Sequence, residues 1–125
     1  MKRRILMIDD DELVLLSLEE LLGSAGYEVT TAADGRAGLA AAGRQTCDLV
    51  LLDVVMPGLS GFDVCRALRA LPAYRDTPIV MLTAKSAPQD REQGLAAGAT
   101  LFLAKPIQPE QLLEMIRLVF AATSS

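Results

Sequence analysis

Histidine is absent from this chain of 125 residues. That absence excludes a Ser-His-Asp triad and histidine-ligated zinc. It also excludes an internal phosphohistidine, so a phosphoryl group arriving through histidine must come from another molecule or another part of a larger protein. Cysteine is scarce. Cys47 and Cys65 stand in no metal or redox spacing and read as small buried hydrophobes, not as a disulfide framework. No apolar stretch approaches a membrane span, and the run after Met1-Lys2-Arg3-Arg4 is too short for a signal peptide, so the cytoplasm is the expected location. Lys2-Arg3-Arg4 is the only basic run in a chain of net charge −4, which leaves no broad footprint for nucleic acid. Neither Gly-x-Gly-x-x-Gly after the first strand nor a Walker A pattern is present, which disfavours a nucleotide site.

What the chain does have is apolar strands that end in polar chemistry. The length suits one domain with a real core, and 51% hydrophobic with 22% charged residues is ordinary for a globular protein. Ile5-Leu6-Met7-Ile8 runs into Asp9-Asp10-Asp11-Glu12, and Leu49-Val50-Leu51-Leu52 runs into Asp53. Ile79-Val80-Met81-Leu82 ends in Thr83, and Leu101-Phe102-Leu103-Ala104 ends in Lys105-Pro106. Tyr27 to Thr31 alternates and reads as a half-exposed edge strand, with Ala32 to Gly35 as a turn.

Helical spacing separates these strands. Leu13, Leu16, Leu18, Leu21 and Leu22 recur after the acidic cluster, and Gly23 to Gly26 stops that helix. Further helices are expected over Arg36 to Arg44, Gly61 to Leu71 and Gln89 to Ala97, with a loop between Pro72 and Pro78. Pro109 opens a last helix whose stripe is Leu112, Leu113, Ile116, Val119 and Phe120, with Ala121 to Ser125 fraying. Five strand–helix repeats call for a parallel sheet covered on both faces. Right-handed crossovers then favour a flavodoxin-like three-layer (βα)5 sandwich of strand order 2-1-3-4-5. In that order the first and third strands adjoin at the switch point, where ligands bind beyond the strand ends.

Asp9, Asp10 and Asp53 therefore meet. Three neighbouring carboxylates repel unless one is protonated or a cation joins them, and oxygen-only ligation by few protein groups suits magnesium (Mg2+). Lys105 adds positive charge, and the Lys105–Pro106 bond is one that can be cis. Thr83 adds a hydroxyl. A cation, an ammonium and a hydroxyl are what a phosphoryl group on a carboxylate requires. Asp53, emerging from the central strand into a Pro-Gly loop, is the expected covalent acceptor. Asp11 and Glu12 read as helix-start residues, and the methionines as core filler.

Taken in order, Ile8-Asp9-Asp10-Asp11-Glu12, Leu52-Asp53-Val54-Val55-Met56-Pro57-Gly58, Leu82-Thr83-Ala84-Lys85, Gly98-Ala99 and Lys105-Pro106 resemble a response-regulator receiver domain of two-component signalling, over essentially the whole chain. The resemblance implies that Asp53 takes a phosphoryl group from a sensor histidine kinase or a histidine phosphotransfer protein. It implies magnesium on Asp10, Asp53 and the Val55 backbone carbonyl, with Asp9 acting mostly through water. Thr83 and Lys105 would engage the phosphoryl oxygens. Thr83 would then move inward, and Phe102 would rotate with it. The fourth helix, fifth strand and fifth helix would be the surface that changes toward a downstream effector. Self-catalysed phosphorylation and dephosphorylation without turnover makes it a switch, not an enzyme.

The chain departs from the usual pattern at several positions. Phe102 stands where tyrosine is more usual, so a switch here works by ring packing; otherwise the ring is simply core. Thr100-Leu101 stand where DNA-binding regulators that dimerise on this face carry paired acids, and Leu101 could mark an apolar partner surface. Val55 cannot orient a water for attack, and the long cationic Lys85 hinders or redirects one, so slow self-dephosphorylation is expected. The alternatives are a haloacid-dehalogenase-like phosphatase and a pseudo-receiver that binds without phosphorylation. The first looks for Asp-x-Asp after its first strand and a cap insertion. The second is opposed by retention of all five site residues. A single receiver domain over residues 1–125 without an output domain is expected, as monomer or phosphorylation-dependent dimer.

Overall fold

Five parallel strands form one sheet in the order β2-β1-β3-β4-β5. They are β1 Arg4–Ile8, β2 Glu28–Ala32, β3 Leu49–Asp53, β4 Ile79–Thr83 and β5 Leu101–Ala104. The computed structural model describes residues 2–84 and 88–123. The helices are α1 Glu12–Ser24, α2 Gly35–Arg44, α3 Gly61–Arg69, α4 Pro88–Ala97 and α5 Pro109–Thr123, with a 3-10 turn at Pro72–Tyr74. The flavodoxin-like order read from the sequence is the observed one. No helix among the described residues is long and apolar enough to cross a membrane.

Two apolar layers explain why the central strands carry no polar alternation. Side chains of successive strand residues point to opposite faces. Leu6, Ile8, Val50, Leu52, Ile79 and Met81 pack with residues of α2 and α3, and Ala97 joins them from α4. Ile5, Met7, Leu49, Leu51 and Val80 pack under α1 and α5, against Leu18, Leu22, Leu112, Ile116 and Phe120. Both faces of β1, β3 and β4 are thereby removed from water, the condition for an all-parallel sheet.

The structure corrects the phase of α1. Its buried stripe is Leu15, Leu18 and Leu22, whereas Leu13 and Leu16 are 75% and 63% exposed. The helix is apolar at almost every position of its first half, so spacing alone leaves the buried side open, and the sheet chooses it. Ala32 ends β2 and is not part of a turn, and α5 continues through Thr123. The stretch between Pro72 and Pro78 is also more ordered than a plain loop. Tyr74 is buried there, its hydroxyl donating to the Ala42 carbonyl (2.9 Å) and accepting from the Cys47 amide (3.0 Å).

Arg69, at the end of α3, ties together the sheet edge opposite the site. Its Nε donates to the Gly98 carbonyl (2.9 Å) and Nη1 to the carbonyls of Tyr74 (2.6 Å) and Thr77 (2.7 Å). Nη2 donates to Thr100 Oγ1 (3.2 Å), which also accepts from the Ile79 amide (3.0 Å).

Candidate functional site

The carboxyl ends of β1, β3, β4 and β5 lie side by side, and each delivers one polar side chain. Asp9 follows β1 and is fully buried; Asp53 ends β3 and is 5% exposed. Their positions follow from local structure. Asp11 caps α1, accepting from the amides of Leu13 (3.0 Å) and Val14 (3.4 Å), as expected of a residue at a helix start. The Asp11 amide in turn donates to Asp9 Oδ1 (2.9 Å). Beyond Asp53, the Gly61 amide donates to the Val54 carbonyl (2.9 Å), bringing the start of α3 onto the strand end. A Cβ at Gly61 would collide with the Asp53 carbonyl oxygen, so only glycine permits that approach.

Lys105 enters from the end of β5, where its amide donates to the Thr83 carbonyl (2.7 Å). The Lys105–Pro106 bond is cis. Lys105 Nζ lies 3.1 Å from Asp9 Oδ2 and 3.2 Å from Asp53 Oδ1. Asp9 Oδ2 is buried, and the Lys105 ammonium is the charge set against it. Asp10 is exposed, and oxygens of Asp9, Asp10 and Asp53 all fall within 4.8 Å of one another. Among the described residues, three carboxylates against one ammonium leave an excess of negative charge, with the buried Asp9 Oδ2 facing it. This donor set fits a hard, oxygen-liganded cation.

The electrostatics agree. Burial, followed by the charge of Asp9, pushes the Asp53 carboxyl up to about 6 against the pull of Lys105. For Lys105, burial acts downward, but the Asp9 and Asp53 carboxylates outweigh it and its pKa is raised. Asp53 is thus more easily protonated in the folded chain than in the unfolded one, where it titrates near 3.8. Its contribution to stability is complete below about pH 4 and is lost as pH rises through about 6. In EDTA, wild type is expected to lose on the order of 1–3 kcal/mol relative to Asp53→Asn between those limits. Denaturant melts of both proteins at pH 4, 5, 6 and 7 check this, and parallel curves would refute it.

Of the remaining residues singled out in the sequence, Thr83 ends β4 and is 9% exposed. Val55, 72% exposed, lines an open cleft of about 640 Å3 together with Asp10, Asp53 and Lys105. Phe102 is not in this cleft. It is half-buried on β5, opposite Met81 in register, with its ring against α4. Lys85 lies outside the described residues. Sequence reasoning missed Arg91 of α4, whose guanidinium carbon stands 5.4 Å from the centre of the Phe102 ring. No local pattern marks a lone arginine on a polar helix.

The model of the response regulator receiver domain family matches residues 5–117 of this chain. The chain belongs to that family. It is 47% identical over 117 residues to the response regulator PleD of Caulobacter vibrioides, covering 94% of this chain and 26% of PleD. Among solved structures it resembles the chemotaxis protein CheY4 of Vibrio cholerae, with a TM-score of 0.92 and 40% identity over 95% of this chain and 99% of that one. It also resembles the receiver domain of the sensor histidine kinase PA1611 of Pseudomonas aeruginosa PAO1 (TM-score 0.86, 36% identity, 94% and 97% covered), whose structure holds a magnesium ion in its active site cleft. The chain is thus a receiver domain of two-component signalling, about a quarter the length of PleD.

Proposed function

We propose that this receiver domain is a phospho-accepting switch in which Asp53 takes a phosphoryl group from the phosphohistidine of a sensor kinase or phosphotransfer protein. The observation that carries the reading is the convergence of Asp9, Asp10 and Asp53 with Lys105 at adjoining strand ends. With its pKa near 6, Asp53 is mostly ionised at neutral pH and available as nucleophile. Its oxygen attacks phosphorus, the P–N bond breaks, and the electron pair returns to the donor's imidazole nitrogen. Lys105, already 3.2 Å from Asp53, holds positive charge where the transferred oxygens arrive, and Thr83 offers its hydroxyl on the neighbouring strand. Asp10, Asp53 and the Val55 carbonyl would hold magnesium, with Asp9 acting mostly through water. The ion, when bound, offsets the charge of the carboxylates and the phosphoryl oxygens. The chain turns over no separate substrate in this reading.

The state of Asp53 would be read on α4, β5 and α5. There Leu101 and Leu118, 38% and 61% exposed, line an apolar groove with Met115 and Val119, suited to an effector or to a phosphorylation-dependent second copy. The test is incubation with acetyl phosphate and magnesium, read by intact mass. One added phosphate, absent in EDTA, is expected; an unmodified protein overturns the reading.

The lifetime of the phosphorylated form follows from the cleft's rim. Val55 is exposed there and has no group to orient a water for attack on phosphorus. Val55→Asn is therefore expected to shorten the lifetime several-fold in a timed mass assay. Equal decay of the two proteins would sink this explanation.

A further inference from the structure

Helix α4 docks on the sheet with almost nothing of its own. It buries only Gly94 and Ala97 among its residues, and Leu95 points to solvent at 57% exposure. Its carboxyl end is anchored, because Arg69 holds the Gly98 carbonyl there. Its middle rests on a ring supplied by β5. A Cβ at Gly94 would stand 2.5 Å from Phe102 Cε1, 2.8 Å from Cζ and 2.9 Å from Met81 Sδ. The ring thus occupies the space that a side chain at position 94 would need. Arg91 lies three residues earlier, on the same helix face. Its guanidinium sits over the ring within the range of a cation–π contact.

Met81 backs this arrangement and shares its sheet face with Thr83, two residues along β4 at the site. Thr83 thus lies on the sheet face that carries Met81, and Met81 and the Phe102 ring both abut Gly94 of α4.

We propose that Arg91 and Gly94 form a receptacle that holds the Phe102 ring, and that the ring sets the tilt of α4 about its Arg69-anchored end. Arg91 and Gly94 are positioning residues, since neither touches the acceptor. Transmission of the state of Asp53 to α4 through this contact rests on the phospho-acceptor reading above, whereas the receptacle itself does not. Arg91→Ala uncovers the ring, and Arg91→Lys restores a cation. Gly94→Ala keeps Arg91 but introduces the colliding methyl, at no loss of helix propensity.

The experiment is fluorine NMR on protein labelled with 4-fluorophenylalanine at Phe62, Phe102 and Phe120, with Phe102→Leu assigning the resonance. Spectra are taken before and after acetyl phosphate and magnesium, with intact mass on each sample. The Phe102 signal is expected to shift or broaden in Arg91→Ala and in Gly94→Ala, and to return toward its wild-type position in Arg91→Lys. The Phe62 and Phe120 signals, remaining in place, exclude general misfolding. In wild type, phosphate is expected to move the Phe102 signal, and in Arg91→Ala to move it at least about twofold less. A Phe102 signal unchanged in both Arg91→Ala and Gly94→Ala overturns the receptacle. If wild type gains no phosphate, the acceptor reading and the transmission that rests on it fall, and the unphosphorylated spectra still decide the receptacle.

Discussion

Asp53→Ala is expected to abolish phosphate uptake from acetyl phosphate, with no adduct in intact mass under conditions that modify wild type. The expectation is all-or-none because the geometry offers no equivalent substitute. Asp9 is fully buried, with one oxygen engaged by the Asp11 amide and the other facing Lys105. Asp10 is exposed and stands outside the ion pairs that Lys105 makes with Asp9 and Asp53. Only Asp53 combines Lys105 at 3.2 Å with a strand end that opens into the cleft. Asp53→Asn should behave alike toward phosphate, since an amide oxygen is a poor nucleophile, and it preserves shape and so guards against a folding artefact. An adduct of equal yield on either variant would place the acceptor elsewhere.

Lys105→Met is expected to be the most destabilising single change in the site at neutral pH. Lys105 is the ammonium that pairs with both buried carboxylates. Breaking a buried ion pair from one side typically costs about 3–5 kcal/mol, because the stranded charge remains. The lysine side chain is about one-third exposed, so screening brings the expected loss to about 2–3 kcal/mol. For a chain this size that is a fall in Tm of roughly 8–15 °C. Two conditions should restore part of it: millimolar magnesium, which supplies charge to the same carboxylates, and mild acid, which protonates Asp53. Calorimetry of Lys105→Met with and without magnesium checks the account. A melting point that ignores both magnesium and pH would show that the loss comes from packing of the lysine stem.

Much of this was legible in the residues. Apolar runs of strand length, each closed by a polar group, imply a parallel sheet, and right-handed crossovers in a short chain then leave few ways to arrange five strands. Once the order is known, Asp9, Asp10, Asp53, Thr83 and Lys105 must gather at one edge. Other features depend on packing that no local pattern carries. The buried side of α1 is Leu15, Leu18 and Leu22, because the sheet selects one phase from a helix that is leucine-rich nearly all round. Tyr74 reaches back to Ala42 and Cys47, and Arg69 reaches Gly98 and Thr100, across sequence separations of about thirty residues. Phe102 was legible as an aromatic of interest, but its receptacle needs a glycine and an arginine from a helix whose own composition announces only a solvated surface.

The burial of both thiols has a practical consequence. Cys47 is 2% exposed and Cys65 fully enclosed, neither is in a disulfide, and burial raises the pKa of each. A thiol reacts as the thiolate and only where reagents can reach it, so the native protein should be nearly inert to maleimides. A cysteine introduced at the exposed Gln93 would then be the one fast-reacting position. Spin labels or dyes could be attached to α4 without first deleting either native cysteine.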